Sequence, residues 1–387
     1  MTINRVEIKD FLVFRGEFSA DFCPGVNVLI GGNGTGKTTL MKAMYGICEN
    51  SNPILGNADA PLSDRAMWKY RAGSSTLAHY FTANLDNSHW ERFYDICNTL
   101  NRCQIIYNGI RFGWRDMTAD IELDMRQRGE LGEDGHIQTL PSYEIRMEST
   151  QNSLPAFDEK TSEPFIKSVY IPTTDMLSHS RNLLEFKYKY PDLPFDKTLI
   201  DIIANAKQPS VIGYPNGEVN VFTAIENIVG GEVILENDVF YVKKKDNAGQ
   251  MTEMSLVASG HRKFGLMYKL LRNGLLKTGS ALFWDEPENS LNPELVPILV
   301  DILLELSQNG VQIFIATHSD FLCKWLELKT NDSNGTGIKF FSLYKESIGI
   351  STETSKKYRS LTRNSIIEQS VELYNEHLRR APEQDED

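Results

Sequence analysis

The sequence predicts an α/β fold with a mixed central sheet, an inserted antiparallel β subdomain and a helical subdomain. Three observations predict it. An apolar run, Val26 to Ile30, passes straight into the glycine-rich stretch "GGNGTGKTTL"; a second, Ala281 to Trp284, ends in the paired carboxylates Asp285 and Glu286; a third, Val311 to Ala316, ends in Thr317-His318-Ser319. Short apolar runs that stop abruptly at polar tips are the pattern of strands buried on both faces.

The elements follow in order. Ile3 to Ile8 and Phe11 to Phe18 read as strands, Cys23-Pro24-Gly25 as a turn and Val26 to Ile30 as the next strand. Leu40 onward has helical composition, ending near Tyr45-Gly46. Asn50 to Leu62 is rich in Asn, Pro, Gly and Ala and reads as an irregular connection; Trp68 to Tyr94 is aromatic-rich and fits neither period. Three strands follow in residues 103 to 150, "CQIIYNGIRFGW", "MTADIELDM" and "SYEIRMES", which predict an inserted antiparallel sheet. "QNSLPAFDEKTSEP" has linker composition, and Phe165 to Ile171 is a strand stopped by Pro172. Residues 173 to 229 are mainly helical, with Phe195 to Ala204 apolar at helical spacing, and "GEVILEN" and "DVFYVKKK" form a hairpin about a two-residue turn. Helix and strand alternate thereafter, through the strand "IKFFSLYK" and a terminal helix from Asn364 to Arg380. The acidic end, Glu383 to Asp387, reads as disordered.

Bulk properties restrict the function. The chain has 387 residues, 41% of them apolar, enough for a sizeable core, and a formal net charge of -12. That charge argues against a large exposed nucleic-acid surface while leaving room for a local basic groove. The five cysteines, Cys23, Cys48, Cys97, Cys103 and Cys323, are scattered and form no C-x-x-C pair, so neither a disulfide framework nor a zinc site is expected. A reduced, cytoplasmic setting follows. No stretch approaches 18 uninterrupted apolar residues and the N-terminus lacks an apolar signal core, so neither export nor a membrane span is expected.

The glycine-rich stretch carries the most specific chemistry. Gly31, four intervening residues, then Gly36-Lys37-Thr38 is the spacing of a phosphate-binding loop. Glycines let the backbone wrap so that N–H groups, here from Asn33, Gly34 and Thr39 among others, point at a polyphosphate, and the helix N-terminus adds partial positive charge. Lys37 then reaches the β/γ oxygens and Thr38 ligates Mg²⁺, so ATP with Mg²⁺ is the expected ligand. A buried strand ending in two carboxylates complements it: Asp285 can hold Mg²⁺ beside Thr38, and Glu286 can take a proton from water attacking the γ-phosphate. His318 at the next strand tip can donate to a phosphate oxygen or sit as a satisfied buried imidazole.

Taken in order, this loop, "VASGHRKFGLMYKLL", the strand with "DEPE", "NSLNPEL" and the strand with "THS" resemble the motif series of ABC-type ATPases, in the RecF/SMC/OLD branch. The resemblance places Ser259-Gly260 at the "LSGGQ" signature, Asn289 to Asn292 at the D-loop and His318 at the switch histidine. It implies an ABC-type P-loop ATPase fold in which two copies sandwich two nucleotides, each gripped by one copy's P-loop and the other's signature. Ser259 would cap the partner's γ-phosphate, with Arg262 or Lys263 assisting. The signature lacks its second glycine, and Asn292 stands where the family carries aspartate. No glutamine occupies the Q-loop position; Asp175 is the candidate, its alternative being a helix N-cap.

The resemblance divides one ATPase domain into a P-loop lobe (1–50), an insertion with the antiparallel sheet (51–165), a helical subdomain with the signature (166–275), the carboxylate and switch-histidine core (276–345) and a C-terminal helix with acidic tail (346–387). The chain lacks sustained heptads, unlike SMC proteins, and only about 70 residues follow His318, too few for an OLD-type nuclease domain by ordinary domain sizes. It is most similar to compact ATPases of phage-defence operons, such as the PARIS and Septu ATPase subunits. This resemblance implies a homo-oligomer holding a separately encoded effector, such as a nuclease. A RecF-like DNA-repair clamp and an ATP-closed switch with little hydrolysis are the two alternatives.

Overall fold

A computed structural model describes residues 2–51, 79–83, 105–115, 118–127, 143–150, 167–190, 196–211, 219–244, 250–332 and 337–380. The expected linker, the acidic tail, Cys97, Cys103 and most of the 52–94 region lie outside them. The strands are β1 (Thr2–Phe11), β2 (Phe14–Asp21), β3 (Val26–Gly31), β4 (His79–Ala83), β5 (Ile105–Arg115), β6 (Thr118–Gln127), β7 (Tyr143–Thr150), β8 (Ser168–Ile171), β9 (Glu232–Glu236), β10 (Val239–Lys243), β11 (Met251–Glu253), β12 (Ala281–Asp285), β13 (Gln312–Ala316), β14 (Ile338–Lys345) and β15 (Ile350–Ser355). The helices are α1 (Lys37–Ser51), α2 (Leu183–Lys189), α3 (Lys197–Lys207), α4 (Val219–Val229), α5 (Ser259–Arg272), α6 (Val296–Gln308), α7 (Asp320–Asp332) and α8 (Ser365–Arg380).

The central sheet is mixed, in the order β15-β14-β3-β13-β12-β8, with β14, β3, β13, β12 and β8 parallel and β15 antiparallel at one edge. Strands β3, β8, β12 and β13 are buried along their whole length, which is why they read as unbroken apolar runs. Alternate residues still go to opposite faces. Val28, Ile30, Leu282, Trp284, Ile313 and Ile315 pack into a core shared with α3, α4, α5 and α6, while Leu29, Phe283 and Phe314 pack against α1. Phe283 and Phe314 stack with ring centroids 4.9 Å apart.

The inserted strands are antiparallel, as expected, and they also join the N-terminal hairpin, in a six-stranded sheet ordered β2-β1-β7-β6-β5-β4. Pairing of β1 with β7 runs from Lys9 opposite Glu144 to Thr2 opposite Thr150, so β1 is an internal strand with β2 on one side and β7 on the other. Helix α1 lies between this sheet and the central one, its Leu40, Met41, Met44 and Tyr45 buried among residues of both. It also runs on to Ser51, one turn beyond the expected end at Tyr45-Gly46. The hairpin β9–β10 turns at Asn237-Asp238, both with positive φ (49° and 64°), the geometry of a tight two-residue connection.

One buried side chain ties the N-terminal strand to the central sheet. Gln312 accepts from the Ile3 amide at 2.7 Å and donates to the carbonyls of Ile3 (2.7 Å) and Cys23 (2.8 Å). Truncating it removes the buried partner of the Ile3 amide and carbonyl, each costing about 1–3 kcal/mol, while the Cys23 carbonyl keeps its bond from the Asn27 side chain at 2.9 Å. Gln312→Ala is therefore expected to lose about 3 kcal/mol in urea unfolding; a loss under about 1 kcal/mol would show that these groups find other partners.

Candidate functional site

In an open sheet of parallel strands, ligands collect beyond the carboxyl ends, and here the chemistry-bearing residues lie at those ends. β3 delivers the loop 31–36. Gly31 (φ 141°) cannot carry a side chain, because a Cβ there would sit 2.2 Å from the Leu343 carbonyl oxygen of β14. Gly36 (φ 89°) is hemmed in by the Phe14 ring, 2.7 Å from where its Cβ would be. Gly34 is also left-handed (φ 72°) and, with Asn33, faces solvent. The Thr35 hydroxyl donates to the Gly32 carbonyl at 2.9 Å, closing the loop.

Lys37 opens α1. Its buried ammonium donates to the Gly31 and Gly32 carbonyls at 2.8 and 3.0 Å, and burial lowers its pKa, with Asp285 and Glu286 opposing. Thr38 is exposed on the ligand side and Thr39 is half-buried. The Thr38 hydroxyl donates to Asp285 Oδ2 at 2.9 Å, joining two elements 247 residues apart in sequence. The same Asp285 oxygen accepts from the Tyr170 hydroxyl at 3.2 Å. Burial pushes the Asp285 carboxyl above its ordinary value, and the bonds from Thr38 and Tyr170 pull it back.

Glu286 follows with a left-handed backbone (φ 47°), uncommon for a residue bearing a Cβ. Two bonds hold this turn: the Glu286 amide donates to the Ala316 carbonyl at 2.8 Å, and the Lys263 ammonium donates to the Glu286 carbonyl at 2.9 Å. The Glu286 carboxylate lies 4.0 Å from His318 Nε2. His318 is not a buried imidazole; its side chain is 39% exposed, and partial burial together with the Lys37 charge holds it below the ordinary histidine range. Glu286 and His318 thus stand together at the mouth of the site, each able to face solvent and a ligand.

Sequence reading placed Arg262 and Lys263 toward a partner, and the structure corrects this. Arg262 Nε pairs with Asp175 Oδ2 at 2.7 Å and its Nη1 donates to the Ser255 carbonyl at 3.1 Å. Lys263 is buried against the turn after Asp285, and burial brings its pKa down to about 8. Asp175 is likewise occupied. It accepts from the Leu177 amide at 3.1 Å and the Ser178 hydroxyl at 2.7 Å, two bonds to the short turn 177–179, whose N-cap position is Met176.

Ser259 and Gly260 form the first turn of α5, which has no side-chain cap. Gly260 packs against the loop after Glu286: a Cβ would meet the Ser290 carbonyl at 2.9 Å and Leu291 Cδ2 at 3.1 Å. Among the described residues no hydrogen bond or ion pair joins Ser259 or Gly260 to Gly31–Thr39. Asn292 caps the turn 293–295 by accepting from the Glu294 amide at 3.2 Å. Two further site residues escaped the sequence reading. Glu288 is largely buried, accepts from the Thr317 hydroxyl at 2.5 Å and is raised in pKa by that burial; Tyr170 lies within a strand otherwise read as core. Only the position of Glu288 two residues after Glu286 in "DEPE" could have pointed to the former.

The chain matches, over residues 26–324, the model of the family described as "AAA domain, putative AbiEii toxin, Type IV TA system". No curated protein matches it. Among solved structures it is similar to three SMC head domains. One, bound to the C-winged helix domain of ScpA, is 13% identical, with 93% of this chain and 99% of that chain covered and a TM-score of 0.44. The SMC head domain from Thermotoga maritima is 11% identical, with 92% and 99% covered and a TM-score of 0.41. The third, with an extended coiled coil and bound to the C-terminal domain of ScpA derived from Pyrococcus furiosus, is 12% identical, with 97% and 99% covered and a TM-score of 0.41.

Proposed function

The chain belongs to the family of AAA domains described as putative AbiEii toxin, type IV TA system, and from that premise we propose an ATPase whose site is completed by a second copy of itself. The carrying observation is that Thr38, Asp285, Glu286 and His318 converge at adjacent strand ends, while the uncapped first turn of α5, packed beside the turn after Glu286, makes no hydrogen bond or ion pair with residues 31–39 of its own chain among the described residues.

ATP binds with its phosphates on the 31–39 loop. The residues fit Mg²⁺, since a hydroxyl and a carboxylate already in contact are hard oxygen donors and this ion keeps much of its water shell. Thr38 and Asp285 would hold it, and it would neutralise charge on the β- and γ-phosphates. Glu286 accepts the proton of the attacking water, and the neutral imidazole of His318 faces the same water and the γ-phosphate. Ser259 and the free amides at the start of α5 cap the γ-phosphate held by the partner. ATP binding therefore closes a pair of copies and hydrolysis releases it.

In the cell this cycle serves an anti-phage defence complex, in which the ATPase is the regulatory scaffold and a separately encoded effector, such as a nuclease, does the damage. The family description and the compact motif series support that role.

Ser259→Arg places a bulky cation at the proposed contact between copies. By mass photometry it is expected to abolish ATP-dependent pairing while ATP affinity of the single copy stays within about twofold of wild type; equal loss of both would place Ser259 in its own chain's site. Native mass measurement of the purified complex identifies the effector. DNA-stimulated turnover with steep salt dependence would instead support a DNA clamp.

A further inference from the structure

We propose that Tyr170 is a positioning residue for the divalent cation, orienting Asp285 through its hydroxyl. The inference rests on the nucleotide-and-magnesium reading above. Tyr170 sits on the edge strand β8, opposite Phe283 of β12, two residues before Asp285. Its ring is 1% exposed and packs on Tyr45 of α1 with centroids 5.5 Å apart. The strand around it is apolar, Val169 and Ile171, and a phenylalanine would fill the same space without the cost of desolvating a phenol. A hydroxyl in that place is tolerated because it is bonded, and the bond goes to Asp285 Oδ2 at 3.2 Å.

That oxygen also accepts from Thr38 at 2.9 Å. Two donors arriving from different elements fix the rotation of the carboxylate, so it does not have to reorganise when a cation binds. Partners of this outer kind typically change metal affinity by about 10- to 100-fold. The segment after β8 supplies nothing else of this type: no glutamine is present among Pro172, Thr173 and Thr174, and Asp175 is committed to Arg262 and to its own turn. Tyr170 is thus the side chain by which β8 reaches the cation-holding carboxylate.

The test uses Mn²⁺, read by electron paramagnetic resonance, titrated into the full chain with ADP. Tyr170→Phe is expected to weaken Mn²⁺ binding by about tenfold. ADP affinity measured in EDTA, and the melting temperature without nucleotide, are expected to stay close to wild type. Tyr45→Phe is the control, because it removes a neighbouring buried hydroxyl that bonds Asp201 at 3.2 Å; Mn²⁺ affinity is expected to be unchanged in it. Unaltered Mn²⁺ affinity in Tyr170→Phe, or an equal loss in Tyr45→Phe, would overturn the assignment. A wild-type protein without nucleotide-dependent Mn²⁺ binding would bring down the nucleotide reading itself.

Discussion

Glu286→Gln is expected to cut phosphate release by at least about 100-fold, the ordinary contribution of a positioned general base, while leaving ATP binding intact. The amide keeps the size and the hydrogen-bonding reach of the carboxylate but cannot take a proton from water. Nothing in the backbone arrangement depends on the charge. The left-handed turn is held through the Glu286 amide and carbonyl, by Ala316 and Lys263, so the substitution leaves the frame in place. The expected result is accordingly a trapped pair of copies, stable in ATP and dissociating when ATP is removed, seen by size exclusion beside a colorimetric phosphate assay. Retained turnover would move the base elsewhere, with Glu288, buried against Thr317, the next carboxylate to test.

Lys37→Ala is expected to weaken ATP binding by at least about 100-fold, since two charge-assisted bonds of about 1.5–3 kcal/mol each are lost. The ammonium already lies in the cradle, bonded to the Gly31 and Gly32 carbonyls, and its pKa is depressed by burial. A triphosphate supplies the negative charge that such a desolvated cation lacks. Alanine leaves the glycine conformations untouched, so melting temperature without nucleotide is expected to change little. Fluorescent-nucleotide titration measures the effect, and wild-type affinity in the variant would refute the phosphate-binding assignment.

What could be read in the sequence was whatever is local. Gly31 to Thr39 announces itself because a wrapped backbone needs glycine at fixed places, and the fully buried β3, β12 and β13 advertise themselves as apolar runs with polar tips. Pairing across long stretches of chain has no local signature. β1 binds β7 some 140 positions away, so the insertion read as separate although its strands continue the N-terminal hairpin. Buried polar partners are hidden for the same reason. Tyr170 in "SVYI" looks like core, and only the fold brings Asp285 to its hydroxyl. Lys263, placed by the motif order beside the signature, looked available to a partner; packing of α5 on the turn after Asp285 uses it within the chain.

The central claim is that a triphosphate is completed by two copies of this chain, and the most direct measurement is the structure of Glu286→Gln loaded with ATP and Mg²⁺. Each nucleotide is expected between Gly31–Thr39 of one copy and Ser259–Gly260 of the other. A nucleotide wholly enclosed by a single copy, with Ser259 turned to solvent, would contradict it.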